Sequence, residues 1–140
     1  MIRQYKATDQ EQTLTVWFNA SIIAHNFLEE DFFDKERKAI MECYFPVTEK
    51  WVYEQNSCVI AFIAMLDNEV GAIFVDSDSQ GRGVGRALMD HVWQSRDFLE
   101  LDVFKNNSIG RRFYNRYGFK FVHEHIHEET GQPLLRLRLG

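Results

Sequence analysis

The stretch Gln80-Gly81-Arg82-Gly83-Val84-Gly85-Arg86 follows an apolar run, Ala72-Ile73-Phe74-Val75, and leads into Ala87-Leu88-Met89-Asp90-His91-Val92-Trp93. The order predicts a strand, a glycine-rich turn and a helix. Such a turn makes an anion site. The first amides of a helix have no partner within it, and the helix dipole adds partial positive charge there. Glycines let a pyrophosphate approach the backbone without meeting a Cβ. Arg82 and Arg86 add full charges. The chain is therefore expected to bind a phosphorylated cofactor.

Spacing narrows the type of loop. A P-loop needs G-x-x-x-x-G-K-[ST]. Gly81 and Gly85 stand too close together, and Arg86 is followed by Ala87. A dinucleotide fingerprint needs G-x-G-x-x-G/A. Counted from Gly81 it ends on Arg86, and counted from Gly83 on Leu88, so both fail. What remains is Gln80-x-x-Gly83-x-Gly85. Downstream, Leu101-x-Val103-x-x-x-Asn107 leads into Phe113-Tyr114-x-x-Tyr117-Gly118-Phe119.

Together these segments resemble the GNAT acetyltransferases over about residues 69–121. That family has a [Q/R]-x-x-G-x-[G/A] loop that cradles the pyrophosphate of acetyl-coenzyme A. It follows this with a strand, an Asn, a helix carrying an aromatic-Tyr pair, and a Gly-Phe turn. Gly110 departs from the pattern, since the family usually has Ala there. It loosens the helix's first turn but removes no chemical group.

Composition agrees with one globular domain over residues 1–140, with hydrophobic residues at 45% and aromatics at 14%. No apolar run is long enough to span a bilayer, and Met1-Ile2-Arg3-Gln4-Tyr5 has no signal-peptide character. Cys43 and Cys58 are isolated, so a cytoplasmic chain with free thiols is expected. The net charge of −5 is uneven: residues 80–120 carry +4 and residues 1–79 carry −8. The positive part coincides with the phosphate loop and suits a polyanionic cofactor. The acidic part suits a cationic acceptor or is simply a solvated surface. The balance argues against nucleic acid as a partner.

The pattern of elements reads β-α-α-β-β-β-α-β-α-β-β. This is an α/β domain with a mixed central sheet flanked by helices, as in the GNAT fold. Strands are expected at 2–5, 51–53, 59–66, 69–75, 98–103, 119–128 and 134–139. Helices are expected from Thr8 or Asp9, with Leu14, Trp17, Phe18 and Ile22 on one face, and over 29–44, 83–96 and 108–117. The second helix should turn Phe33, Ile40, Met41 and Tyr44 inward and end at Phe45-Pro46. The run 59–66 is apolar throughout and should be buried on both faces. The strands 69–75 and 98–103, joined by a helix, should be parallel. The resemblance implies that these two splay apart and receive the pantetheine arm between them.

The resemblance also assigns roles. Tyr114 sits where the family places the general acid facing the cofactor sulfur. An unperturbed phenol has a pKa near 10 and keeps its proton at neutral pH. Backbone groups of Phe74 and Val75 would pair with the pantetheine. Residues Gln80 to Arg86, Val84 included, would hold the pyrophosphate. Asn107 can cap the following helix and, by resemblance, bond the coenzyme A arm. Lys105, Arg111 and Arg112 are candidates for the 3′-phosphate. For the general base, Glu69, Glu54, Asp67 and a water chain stay open. His25 and Phe27, in Ser21-Ile22-Ile23-Ala24-His25-Asn26-Phe27, lie where the acceptor pocket of this family is walled. His25 is equally readable as a satisfied structural histidine.

His123-Glu124-His125-Ile126-His127 matches H-E-x-x-H literally. The zinc mechanism needs that motif on a helix. In a strand, His123 and His127 lie about 13 Å apart, beyond one metal's reach. An exposed histidine stripe and no metal cofactor are expected. The leading function is transfer of acetyl from acetyl-coenzyme A to a primary amine of a small molecule or protein, by a monomer or homodimer. The alternative is a sensor module that binds acyl-coenzyme A without turnover.

Overall fold

The computed structural model describes residues 1–140. One seven-stranded sheet runs in the order β1-β2-β3-β4-β5-β7-β6. Its strands are β1 Ile2–Gln4, β2 Glu49–Gln55, β3 Cys58–Leu66, β4 Glu69–Val75, β5 Leu99–Phe104, β6 Lys120–Ile126 and β7 Pro133–Leu139. The helices are α1 Gln10–Ala24, α2 Glu30–Ala39, α3 Val84–Trp93 and α4 Ser108–Tyr117. No helix is long and apolar enough to cross a membrane.

The apolar run of β3 explains the two cores. Alternation sends Ala61, Ile63 and Met65 to one face, under Leu88, Met89 and Val92 of α3. Phe62 goes to the other, with Leu14 and Trp17 of α1 and Phe33 of α2. The expectation of burial on both faces holds. Asp67, with φ of 55°, makes the tight turn into β4.

The sheet is two sheets joined at one point. Parallel pairing between β4 and β5 is confined to Glu69 opposite Glu100, whereas β5 pairs with β7 along its whole length. The closed end is pinned from both sides. Asn68 Nδ2 donates to the Phe98 carbonyl at 2.7 Å, and Arg136 forms a two-bond pair with Glu69. Beyond that point β4 and β5 separate. A bulge promotes this: Ala64 pairs with Ala72 and Met65 with Val70, leaving Gly71 as the extra residue of β4.

Three details differ from the sequence expectation. Phe18 and Ile22 are 44% and 41% exposed, because the packed face of α1 runs through Thr13, Leu14, Trp17, Ala20 and Ser21. Its apolar residues are spread around the helix and polar Thr13 and Ser21 fall on the buried face, so periodicity could not choose its inner side. The second helix ends at Ala39 and continues as one wider π turn, Ile40–Tyr44. Phe33 is buried as expected, but Ile40, Met41 and Tyr44 are only half-buried. The histidine stripe also breaks. The His123 and His125 rings lie 5.3 Å apart on β6, tilted by 58°, but His127 lies past the strand and turns against Phe104 and Phe32, at 5.2 and 6.2 Å.

Candidate active site

The separation of β4 from β5 opens a groove of about 980 Å³. Its floor is the unpaired edge of β4. The bond from Asp76 N to the Ile60 carbonyl fixes the phase of the β3–β4 ladder. By alternation, Phe74 and Ala72 exchange bonds with β3, while Ile73 and Val75 turn their backbone groups toward the groove. This corrects the expected backbone role of Phe74. The Phe74 peptide is paired with β3, and the outward-facing backbone groups are those of Ile73 and Val75.

The glycine-rich loop Gln80–Arg86 closes one end. Gln80 Nε2 donates to the Val75 carbonyl at 3.0 Å, folding the loop back onto the strand. Gly81 and Gly83 have φ of 81° and 80°, and Gly83 is the N-cap of α3. A side chain at either would be strained. A Cβ there would meet nothing within 4 Å, so the space above these amides is open. Val84 and Gly85 open the helix, and both line the groove. Arg86 also lines it and stands 5.7 Å from the Tyr117 ring. Arg82 is exposed and is not part of the lining.

Of the candidate 3′-phosphate residues, only Arg112 reaches the groove. Lys105 pairs with Glu124 at 3.2 Å, and Arg111 donates to the Lys105 carbonyl at 3.0 Å. Arg116, not singled out by sequence, lines the groove one helical turn after Arg112. Arg86, Arg112 and Arg116 thus line the groove. Open glycine amides, unpaired strand backbone and this cationic ring fit a pyrophosphate carried on an extended arm.

Tyr114 lines the groove while its ring packs on Phe113 and Phe119 at 5.5 and 5.7 Å. Burial pushes its phenol above the ordinary tyrosine range, so it stays protonated. Phe113 and Tyr117 pack on the α3-side core, and the Tyr117 hydroxyl donates to Asp90.

Asn107 and His25 come together, although 82 positions separate them. Asn107 Oδ1 accepts from Gly110 N at 2.9 Å, capping α4. Its Nδ2 must then be the donor to His25 Nε2, 3.2 Å away. That leaves His25 Nδ1 to donate to Ser21 Oγ at 2.9 Å. The imidazole is neutral, its pKa pushed down to about 4 by burial. It stands among Phe27, Phe74 and Phe104, at 6.0, 6.4 and 5.1 Å. His25 lines the groove; Phe27 backs His25 and is outside the lining.

The acids sort differently from expectation. Glu69 is held by Arg136 at the closed end and does not line the groove, which removes it as a base. Glu54 is paired with Arg3 at 2.9 Å, and Asp67 sits in the β3–β4 turn. The groove instead carries Asp102 and Glu36. It also carries Tyr44, whose buried hydroxyl has no partner. Burial and then nearby Glu69 push the Tyr44 phenol up to about 12. Glu36 left a trace in the sequence, as an acid four residues from both Phe32 and Ile40 on one apolar helix face.

The splayed sheet and its glycine loop are those of an acetyltransferase fold, and the chain belongs to the GNAT acetyltransferases. The family model described as Acetyltransferase (GNAT) domain matches residues 47–121. Among curated proteins, it is similar to the peptidyl-lysine N-acetyltransferase YiaC of Escherichia coli (strain K12). The two are 26% identical over 134 residues, 95% of this chain and 92% of YiaC. It is also 25% identical over 140 residues to YjaB, named a peptidyl-lysine N-acetyltransferase, of the same organism; this spans 99% of this chain and 95% of YjaB. Among solved structures, apo YjaB from Escherichia coli superposes with a TM-score of 0.88 at 24% identity, over 99% of this chain and 95% of that one. PaiA N-acetyltransferase from Thermoplasma acidophilum, in complex with coenzyme A, gives 0.82 at 15% identity, over 97% and 96%.

Proposed function

We propose that this N-acetyltransferase moves acetyl from acetyl-coenzyme A to a primary amine on an aliphatic stem, of the lysine type. The observation that carries the reading is the groove between β4 and β5. It has glycine amides and arginines at one end, unpaired strand backbone along its floor, and a protonated tyrosine on its wall. PaiA in complex with coenzyme A, and the peptidyl-lysine N-acetyltransferases YiaC and YjaB, support it by similarity.

In this reading acetyl-coenzyme A supplies a thioester whose C–S bond breaks as the amine forms an N–C bond. The amides of Gly81 to Gly85 and the Arg86 guanidinium hold the pyrophosphate. The Ile73 backbone and the Val75 N–H hold the arm, the Val75 carbonyl being taken by Gln80, and Asn107 donates its free amide hydrogen. Tyr114 gives its proton to the leaving sulfur. His25 braces Asn107 and is a positioning residue. The Gln80 side chain shapes the loop by its bond to Val75.

Calorimetric titration with acetyl-coenzyme A, followed by coenzyme A release with lysine peptides, tests this. Tyr114→Phe should lower kcat by about a hundredfold or more and leave the acetyl-coenzyme A Kd within about threefold. No binding of acetyl-coenzyme A by the wild-type chain would end the reading. Binding without transfer to any amine would favour a sensor instead.

A further inference from the structure

We propose that Glu36 is the carboxylate that receives the acceptor's ammonium group and takes its proton before attack. The inference deepens the transferase reading above and rests on it.

A lysine-type amine has an unperturbed pKa near 10.4 and reaches the enzyme as a cation. Only its neutral form can attack, so a base must stand where the amine enters. The acids at the ends of β4, β3 and β2 are outside the groove. Of the two inside, Asp102 is committed: Arg136 lies 3.5 Å away and His125 3.1 Å. Glu36 makes no ion pair and no hydrogen bond. It is the uncommitted carboxylate of the groove.

Its setting suits a cation on an apolar stem. Phe32, Glu36, Ile40 and Tyr44 follow at four-residue steps, and all four line the groove. Burial of Glu36 between aromatic and aliphatic neighbours penalises its charge, with Glu129 of the β6–β7 connection adding repulsion. Both effects raise its proton affinity, which suits a carboxylate that must take a proton from an ammonium. The other titratable groups lining that side are Cys43 and Tyr44 on the same segment, His25 at the end of α1, and His127, hydrogen-bonded to Thr130 at 2.8 Å. The groove's arginines, Arg86, Arg112 and Arg116, belong to α3 and α4. Methylenes of the stem would lie against Phe32 and Ile40, with the nitrogen at Glu36.

The proton count closes. Glu36 takes one proton from the ammonium. The freed lone pair forms the N–C bond as the C–S bond breaks. Tyr114 gives its proton to the sulfur, and the surplus proton on the new amide nitrogen returns to the Tyr114 oxygen. Glu36 then releases its proton to water, one per turnover.

The test measures coenzyme A release at saturating acetyl-coenzyme A, with a library of short peptides carrying one central lysine and, separately, with spermidine. The enzymes are wild type, Glu36→Gln and Glu36→Asp, each checked by circular dichroism and by acetyl-coenzyme A titration. Glu36→Gln should lose about a hundredfold or more in kcat/KM for the amine, with kcat falling as well, at unchanged acetyl-coenzyme A affinity. Glu36→Asp should be intermediate, since it keeps the carboxylate with a shorter reach. If Glu36→Gln keeps kcat/KM within threefold of wild type, this inference falls and the transferase reading stands. If Glu36→Gln does not fold, Glu36→Asp decides by the same threefold limit. No release by wild type with any peptide or spermidine would end both.

Discussion

The Asn107 carboxamide donates to His25 Nε2 across 3.2 Å, joining the start of α4 to the end of α1. The bond needs a neutral imidazole, because a protonated ring has no lone pair to accept it. Burial lowers the His25 pKa from the ordinary 6.5 to about 4. The unfolded chain therefore binds a proton in this window that the folded chain refuses. Stability is full above about pH 6.5, falls as pH drops toward about 4, and levels off below, a loss of about 3 kcal/mol if fully expressed. Chemical denaturation at several pH values checks this. His25→Gln should be less stable at neutral pH, yet lose less on acidification.

The Tyr44 hydroxyl occupies the space that a Cβ at position 71 would need. Gly71 is the bulged residue of β4, and the close approach depends on its having no side chain. Gly71→Ala should destabilise the fold by about 1–3 kcal/mol through overpacking. The cost should shrink when Tyr44 is truncated, so a double-mutant cycle with Tyr44→Ala should be non-additive by more than about 0.5 kcal/mol. Tyr44→Phe alone should be neutral or stabilising by about 1 kcal/mol, since it removes a buried hydroxyl without a partner.

The arginines of α4 divide by direction. Arg112 and Arg116 line the groove, whereas Arg111 turns back to the Lys105 carbonyl. Arg112→Ala and Arg116→Ala should each weaken acetyl-coenzyme A binding by about tenfold, the scale of one charge-assisted contact. Arg111→Ala should stay within about twofold. Titration with dephospho-coenzyme A separates the contacts further: the variant that touches the 3′-phosphate should lose its difference from wild type with that ligand.

Much of the fold was legible because it is written locally. The strand, glycine turn and helix around Gln80–Arg86 declare themselves through hydrophobic runs and glycine spacing. The same is true of β3, whose uninterrupted apolar run requires two covered faces. The inner side of α1 was not legible, since Phe18 and Ile22 are as apolar as the residues that became buried. The π turn at Ile40–Tyr44 was also hidden, because it answers to the β4 surface it meets.

The site divides in the same way. Sequence by itself made legible the glycine-rich loop, the helix-capping Asn107 and the tyrosine at position 114, through patterns a few residues long. Tertiary structure alone decided which acids line the groove. Glu69 looked like a base by its place at the start of a strand, but folding brings it 67 positions along the chain to Arg136, at the closed end of the sheet. Glu36 looked like one more charge on an acidic helix, but folding turns it into the groove without a partner. A side chain's type and local spacing are fixed by the sequence. Which other charges come to stand beside it is fixed only when distant strands and helices meet, and that sets whether an acid is neutralised or left free to take a proton.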